Sequence, residues 1–304
     1  MTQRARPFIK WAGGKGRLLR QIDAFFPQEL KNGRIQNYVE PFLGSGAVFF
    51  AIAENYNIKN AWLSDLNRDL ILTYKVIQKK AALLLDILRL YQKKYDAGTE
   101  ARRHELFFDV RKQFNEQRFE INYKRFSENW LTRAAQFIFL NKTCFNGLFR
   151  LNAQGEFNVP PGKYTKAVIF DEHNILAVSD VLRNAEIVCA DYSQCYPKVN
   201  DAAFAYFDPP YRPITRTSHF TAYTETEFND NQQIELSLFF RRLDAEKGVK
   251  LMLSNSDPAN TDPSDAFFEE AYSGFNIYRV SVTRAVNCNG AKRGKINELL
   301  ITNY

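Results

Sequence analysis

Asp208-Pro209-Pro210-Tyr211 follows the apolar run 203–207 and is the segment of the chain best equipped for chemistry. Two successive prolines fix the backbone and remove two N–H donors. What is left is a set of carbonyl acceptors, the Asp208 carboxylate and an aromatic face. Such a rigid, acceptor-rich pocket suits a planar amino group. An amine such as adenine N6 is a poor nucleophile, because its lone pair is delocalised into the ring. Asp208 and the Pro209 carbonyl could each accept one N6 hydrogen, localising the lone pair for attack on a sulfonium methyl, with Tyr211 stacked on the base. Fixed acceptors would stabilise the developing positive charge, and methyl transfer then needs mainly in-line positioning. The competing structural account is a proline-stiffened strand end with a buried tyrosine.

Two upstream motifs weigh against that account. Glu40-Pro41-Phe42-Leu43-Gly44-Ser45-Gly46 follows an apolar run and opens a helix-like stretch. Its glycines allow a tight turn and close approach of backbone to ligand. Asp65 lies 21 residues beyond Gly44, where a nucleotide-binding fold sets a carboxylate on ribose hydroxyls. Phe49 stands where the dinucleotide fingerprint has its third Gly or Ala, which argues for a nucleoside-type cofactor and against a nicotinamide one. Near the N-terminus, Lys10-Trp11-Ala12-Gly13-Gly14-Lys15 invites comparison with a phosphate-binding loop. However, no Gly-Lys pair in the chain is followed by Ser or Thr, so ATP hydrolysis is not expected. Trp11 and Lys15 beside two glycines suggest instead a loop folded over a small ligand.

Positioning these motifs requires a sheet. Short apolar runs at 35–39, 61–64, 187–190, 203–207 and 249–254 each end at a polar or acidic residue: Glu40, Asp65, Asp191, Asp208 and Asn255. Helix-like stretches such as 46–55 and 231–243 lie between many of them. The alternation predicts an α/β fold with a largely parallel sheet, whose ligands sit beyond the carboxyl ends of the strands. Four carboxylates should therefore gather along one edge. From about 68 to 140 the chain reads as helical, with Leu72, Val76, Leu83, Ile87 and Leu90 spaced as one apolar face over 69–91. Residues 145–152 and 156–159 read as two extended pieces around a Gly-bearing turn, a β-hairpin.

Composition restricts the alternatives. The 304 residues include 45% hydrophobic and 25% charged, ample for a sizeable core. No apolar run approaches the roughly 20 residues of a membrane span, and no secretory leader is visible, so a cytoplasmic protein without membrane attachment is expected. Cys144, Cys189, Cys195 and Cys288 form no C-x-x-C pair and there are three histidines; no metal site is expected. A net charge of +7 favours a polyanionic partner.

Taken together, these motifs resemble the Dam-type DNA adenine-N6 methyltransferases, the D12 class, alpha group, over nearly the whole chain. The resemblance implies a Rossmann-like S-adenosylmethionine-dependent methyltransferase fold with a helical target-recognition insert carrying a β-hairpin. It puts the catalytic domain at residues 1–67 and 171–304, and the recognition domain at 68–170. Trp11, Lys15, Asp65 and Asp208 are then expected to contact S-adenosylmethionine, with Asp191 and Tyr192 near its adenine. Glu40, Phe42, Gly44 and Gly46 would complete the cofactor site.

The hairpin is similar to the DNA-reading hairpin of enzymes that recognise GATC. The resemblance makes Arg150 a reader of guanine, in keeping with bidentate Arg–guanine contacts. It has Leu148 and Pro160 line the bases, Phe145 wedge into the stack beside a flipped adenine, and Lys10 touch a further base. Lys142, Asn146, Asn158 and Tyr164 join this surface. Phe220-Thr221-Ala222-Tyr223 resembles a segment closing over the target, and Arg284, Lys292, Arg293 and Lys295 are phosphate contacts. Cys144 and Phe145 replace Gly and Tyr of the best-known GATC enzymes, and Lys163 replaces an Arg of some, so a longer site containing GAT stays open. Double-stranded DNA is the implied partner, together with a cognate restriction endonuclease that need not form a stable complex.

An RNA adenine methyltransferase and a catalytically inactive DNA-binding regulator are the competing readings. C5-cytosine methylation is disfavoured because its nucleophilic cysteine usually follows proline, whereas Thr143, Val188, Gln194 and Asn287 precede the cysteines here. N4-cytosine chemistry also acts on an exocyclic amine and is closer. Zinc-dependent deamination lacks its ligands.

Overall fold

The structure, a computed structural model, describes residues 4–212, 228–283 and 295–304. Seven strands are present among them: β1 (Asn37–Glu40), β2 (Asn60–Asp65), β3 (Ala185–Cys189), β4 (Ala203–Phe207), β5 (Lys250–Ser256), β6 (Asn276–Thr283) and β7 (Lys295–Thr302). They form one sheet in the order β3-β2-β1-β4-β5-β7-β6. The first five strands are mutually parallel, and β7 pairs antiparallel with both β5 and β6. The expected α/β class with a largely parallel sheet is borne out. A parallel sheet covered on both faces needs continuous apolar strands rather than alternation, and Ala203–Phe207 is buried at every position.

The chain runs outward from β1 to β2 and β3, then returns to the other side of β1 with β4 and β5. The order therefore reverses between β1 and β4, the place where open α/β sheets form a crevice. Glu40 ends one of these strands and Asp208 follows the other.

The helices among the described residues are α1 (Leu19–Ala24), α2 (Gln28–Lys31), α3 (Ala47–Asn55), α4 (Arg68–Asp96), α5 (Glu100–Gln117), α6 (Asn129–Thr143), α7 (Glu172–Val181), α8 (Asp230–Lys247) and α9 (Phe267–Ala271). Residues 68–143 contain no strand, as expected. One continuous apolar cluster joins Leu63 of β2, Leu72 and Val76 of α4 and Phe137 of α6. A bidentate ion pair ties α4 to α6: Arg133 Nε and Nη2 reach Asp69 Oδ1 and Oδ2 at 2.8 and 2.9 Å, both residues being buried. None of these helices is long and apolar enough to cross a membrane, and the described residues hold no His/Cys/Asp/Glu cluster able to bind a metal.

Three expectations need correction. Leu72 and Val76 are buried in α4, but Leu83 and Leu90 are 48% and 60% exposed. Lys80 leaves helical geometry (φ −143°, ψ 35°), so the apolar face changes register there and Ala81, Leu84, Leu85 and Leu88 become the buried set. The first arm of the hairpin is not extended from residue 145: Phe145–Gly147 is a 3-10 turn, with Asn146 and Gly147 at φ 55° and 66°. Pairing flanks this turn on both sides: Cys144 bridges Pro161 and Phe145 N–H donates to the Pro160 carbonyl at 2.9 Å, while beyond it Leu151 bridges Phe157 and Asn158 N–H donates to the Arg150 carbonyl at 3.2 Å. Finally, β6 and β7 extend the sheet beyond the expected strands: most described side chains of β6 are exposed or half-exposed, and the apolar run of β7 is only the buried Leu299-Leu300-Ile301.

Candidate functional site

The crevice between β1 and β4 opens into a cavity of about 480 Å³. From the catalytic and cofactor candidates, the structure brings to its wall Trp11, Lys15, Glu40, Phe42, Gly44 and Asp65, and from the later strands Asp191, Tyr192 and Asp208 through Tyr211. All four strand-end carboxylates share this wall. Gly46 does not line it. Gly46 instead starts α3 at φ 69°, and a side chain there would meet the Tyr74 hydroxyl at 2.8 Å. Gly44 has φ 47°, and a Cβ on it would lie 2.9 Å from Trp11. The glycine at 44 lets the Lys10–Lys15 loop lie directly on the turn after β1.

Asp65 is committed to shaping this turn. Its Oδ2 accepts from Gly44 N–H and its Oδ1 from Asn67 N–H, both at 2.9 Å. Burial raises its carboxyl above the usual range, and these backbone donors oppose the rise. Glu40 is pushed well above its ordinary value by burial, against the hydrogen bond it accepts from Tyr38 at 2.8 Å. Phe42 stacks on Tyr192 with ring centroids 5.6 Å apart and meets Phe228 edge-on at 5.9 Å. Phe228, Leu66 and Asn67 also line the cavity and had no sequence signal, being isolated residues beside the motifs.

At Asp208–Tyr211 the acceptors divide into engaged and open. Asp208 Oδ1 receives the buried Lys15 ammonium at 2.6 Å and the Ser254 hydroxyl at 2.9 Å. The Pro210 carbonyl receives Gln233 Nε2 at 2.9 Å. Neither Asp208 Oδ2 nor the Pro209 carbonyl has a hydrogen-bond partner among the described residues. The Lys15 ammonium also lies 4.5 Å from the Tyr211 ring centroid, and the Tyr211 hydroxyl donates to Glu298 on β7 at 2.6 Å. Burial, then the charges of Asp208 and Glu298, raise that hydroxyl well above its usual value. Tyr211 thus keeps its proton and a fixed ring plane.

The hairpin candidates lie beside this cavity. Asn141 pins them: its side chain accepts from Lys10 N–H and donates to the Lys10 and Gly147 carbonyls, at 2.8, 2.8 and 2.9 Å. Phe149 is buried, stacks on Trp11 at 6.0 Å and meets Phe157 at a tilt, with ring centroids 5.6 Å apart. Phe145 (51% exposed), Asn146, Arg150 and Pro160 face outward, while Leu148, Asn158 and Tyr164 are half-buried. Arg150 Nε donates to Asn158 Oδ1 at 2.7 Å, and Lys10 Nζ to the Tyr164 hydroxyl at 3.2 Å. Burial and the neighbouring charges of Lys10 and Arg6 lower the Lys142 ammonium to about 8, with Asp171 opposing. Tyr223, Arg284 and Lys292 lie outside the described residues. Lys295 begins β7, and its side chain is likewise outside them.

The family model of the D12 class N6 adenine-specific DNA methyltransferases matches residues 11–286. A Type II methyltransferase, M.MjaIII of Methanocaldococcus jannaschii, is 46% identical over 300 residues, covering 98% of this chain and 99% of that protein. DNA adenine methylases of Vibrio cholerae serotype O1 and Escherichia coli K12 are 31% and 32% identical, covering 98% and 97% of this chain and 96% and 94% of theirs.

Proposed function

This chain belongs to the D12 class of N6 adenine-specific DNA methyltransferases, and from that premise we propose that it takes a methyl group from S-adenosylmethionine and places it on a flipped adenine of duplex DNA, within GATC or a longer site containing GAT. The observation that carries the proposal is the pair of open acceptors, Asp208 Oδ2 and the Pro209 carbonyl, beside Asp208 Oδ1 and the Pro210 carbonyl, which are already engaged.

The cavity suits the cofactor. Its volume of about 480 Å³ lies in the range of small-molecule sites. Its apolar wall is interrupted by carboxylates, which match a ligand carrying a cationic sulfur and an ammonium group. Trp11, Phe42 and Tyr192 would hold the flat parts, Gly44 the close backbone contact, Asp65 and Asp191 the polar rim, and Lys15 and Glu40 the inner end. S-adenosylmethionine supplies an electrophilic methyl group on a positively charged sulfur. Asp208 Oδ2 and the Pro209 carbonyl accept the two N6 hydrogens of adenine, drawing the nitrogen lone pair out of conjugation. The same fixed acceptors stabilise positive charge as it builds on N6. Tyr211, held by Glu298, offers its face to the base and excludes water.

Target recognition is assigned to the outward side of the hairpin, with Lys10, Lys142, Asn146, Asn158 and Tyr164 around it. Phe145 fills the gap left by the flipped base, while Leu148 and Pro160 flank the neighbouring bases. Arg150, braced by Asn158, reads guanine. Arg150→Ala should cost about 1–3 kcal/mol of discrimination at one base pair. Methylation rates on duplexes substituted singly at each position measure this, and an unchanged preference would remove Arg150 from the readout.

Lys142 gives DNA binding a pH dependence. Its ammonium titrates at about 8 in the free protein, lowered by burial and by Lys10 and Arg6. A DNA phosphate favours the charged form, so binding takes up a proton and affinity falls as pH rises through that value. Duplex titrations at several pH values test this: Lys142→Arg should flatten the profile, whereas an identical slope in both proteins assigns the dependence elsewhere.

A further inference from the structure

We propose that Ser254, backed by Tyr206, is a positioning residue for methyl transfer, orienting Asp208 so that Oδ1 is committed to the protein and Oδ2 is presented to the target amine. The proposal rests on the reading above that Asp208 accepts an N6 hydrogen.

Ser254 and Tyr206 lie on adjacent central strands, β5 and β4, and both are 0% exposed. Ser254 Oγ is 2.9 Å from Asp208 Oδ1 and 2.8 Å from the Tyr206 hydroxyl. The direction of donation along this chain is forced. An ionised carboxylate only accepts, and a serine hydroxyl has a single hydrogen. Ser254 therefore donates to Asp208, and Tyr206 must donate to Ser254. Tyr206 can do so throughout the working pH range, because burial and the Asp208 charge keep its hydroxyl protonated.

Lys15 reaches the same Oδ1 from the opposite direction in the chain, at 2.6 Å, from a loop that also walls the cavity. Ser254 reaches it from the middle of the sheet. The ion pair holds this oxygen, and the Ser254 hydrogen bond gives it a direction, which together fix the plane of the carboxylate. The ion pair to a loop residue alone would let that plane rock about the last side-chain torsion, which is a broad one. Tyr206 precedes Asp208 by two residues, so strand alternation puts both side chains on one face of β4. The orienting group is thus built into the same strand that delivers the carboxylate.

Four purified variants test this: Ser254→Ala, Tyr206→Phe, the double variant, and Asp208→Ala as reference. The readouts are single-turnover methyl transfer at saturating duplex and S-adenosylmethionine, and the dissociation constant of each ligand. Ser254→Ala should slow transfer about ten- to a hundredfold, the worth of a hydrogen bond to a charged group, with ligand binding changed by no more than about threefold. Tyr206→Phe should slow transfer less, and the double variant should be no slower than Ser254→Ala, because Tyr206 acts only through Ser254.

Wild-type transfer in Ser254→Ala beside an inactive Asp208→Ala would overturn the role of Ser254 and leave that of Asp208 standing. Additive losses in the double variant, or ligand binding weakened as much as transfer is slowed, would make the two residues packing elements and overturn the proposal as well. Full activity in Asp208→Ala would instead overturn the reading beneath it. Tyr206→Phe preserves volume and carries the test if Ser254→Ala does not fold.

Discussion

Asp208→Ala lowers the rate of methyl transfer by at least about a thousandfold, the upper range for losing one preorganised group that meets transition-state charge. The loss falls on kcat, while duplex binding stays within a few-fold, because the recognition hairpin makes no contact through Asp208. Asp208→Asn is the sharper variant. The Lys15 ammonium pairs with the same Asp208 oxygen to which Ser254 donates, so the asparagine amide would turn its oxygen toward them. Its NH2 group would then stand where Oδ2 was, opposing the N6 hydrogens with further donors. The amide should therefore be as inactive as alanine despite near-native shape. Single-turnover kinetics with labelled cofactor measure both, and activity in Asp208→Asn within a few-fold of wild type would refute the acceptor role.

The second large effect is on stability. Arg133→Ala should cost about 3–5 kcal/mol, because it leaves the buried Asp69 carboxylate without its partner. The guanidinium makes two hydrogen bonds to Asp69, donates to the Phe114 carbonyl, and lies 3.4 Å from the Phe114 ring centroid. Among the described residues, the Tyr123 hydroxyl, 2.8 Å from Asp69 Oδ1, would be the one side-chain donor left to that carboxylate. Asp69 sits in the first turn of α4, next to Asn67, which caps that helix and donates to Asp65. Local loosening would thus reach the cofactor wall. Replacing both partners, as Asp69→Leu with Arg133→Met, should cost far less, since no uncompensated charge remains. Urea unfolding of the single and double variants measures the difference, and equal losses in both would show that packing, and not the buried charge, dominates.

The sequence made the central sheet and the cavity wall legible for a common reason. Strands buried on both faces read as unbroken apolar runs, and a parallel sheet sends the residues that end those runs to one edge. Glu40, Asp65, Asp191 and Asp208 could be grouped on that argument before any coordinates. Contacts made across the sheet left no such trace. Ser254 and Glu298 reach Asp208 and Tyr211 from strands 46 and 87 residues later, and Arg133 finds Asp69 across 64. Local pattern carries no information on pairs so distant. The exposed Leu83 and Leu90 show a different limit: helical spacing identified α4, but one non-helical residue at Lys80 rotated its apolar face. Gly46 is a third case, since a glycine in a ligand-binding motif serves helix geometry and the Tyr74 contact.

The proposed activity of this cavity is methylation of the N6 amine of adenine in duplex DNA. The most direct measurement is to incubate the purified protein with S-adenosylmethionine and a duplex containing GATC, digest the DNA to nucleosides, and identify the methylated product by mass spectrometry. N6-methyladenine, absent when Asp208→Ala replaces the wild type, is the predicted result. N4-methylcytosine, methylation of RNA alone, or binding of the duplex with no methyl transfer would contradict it.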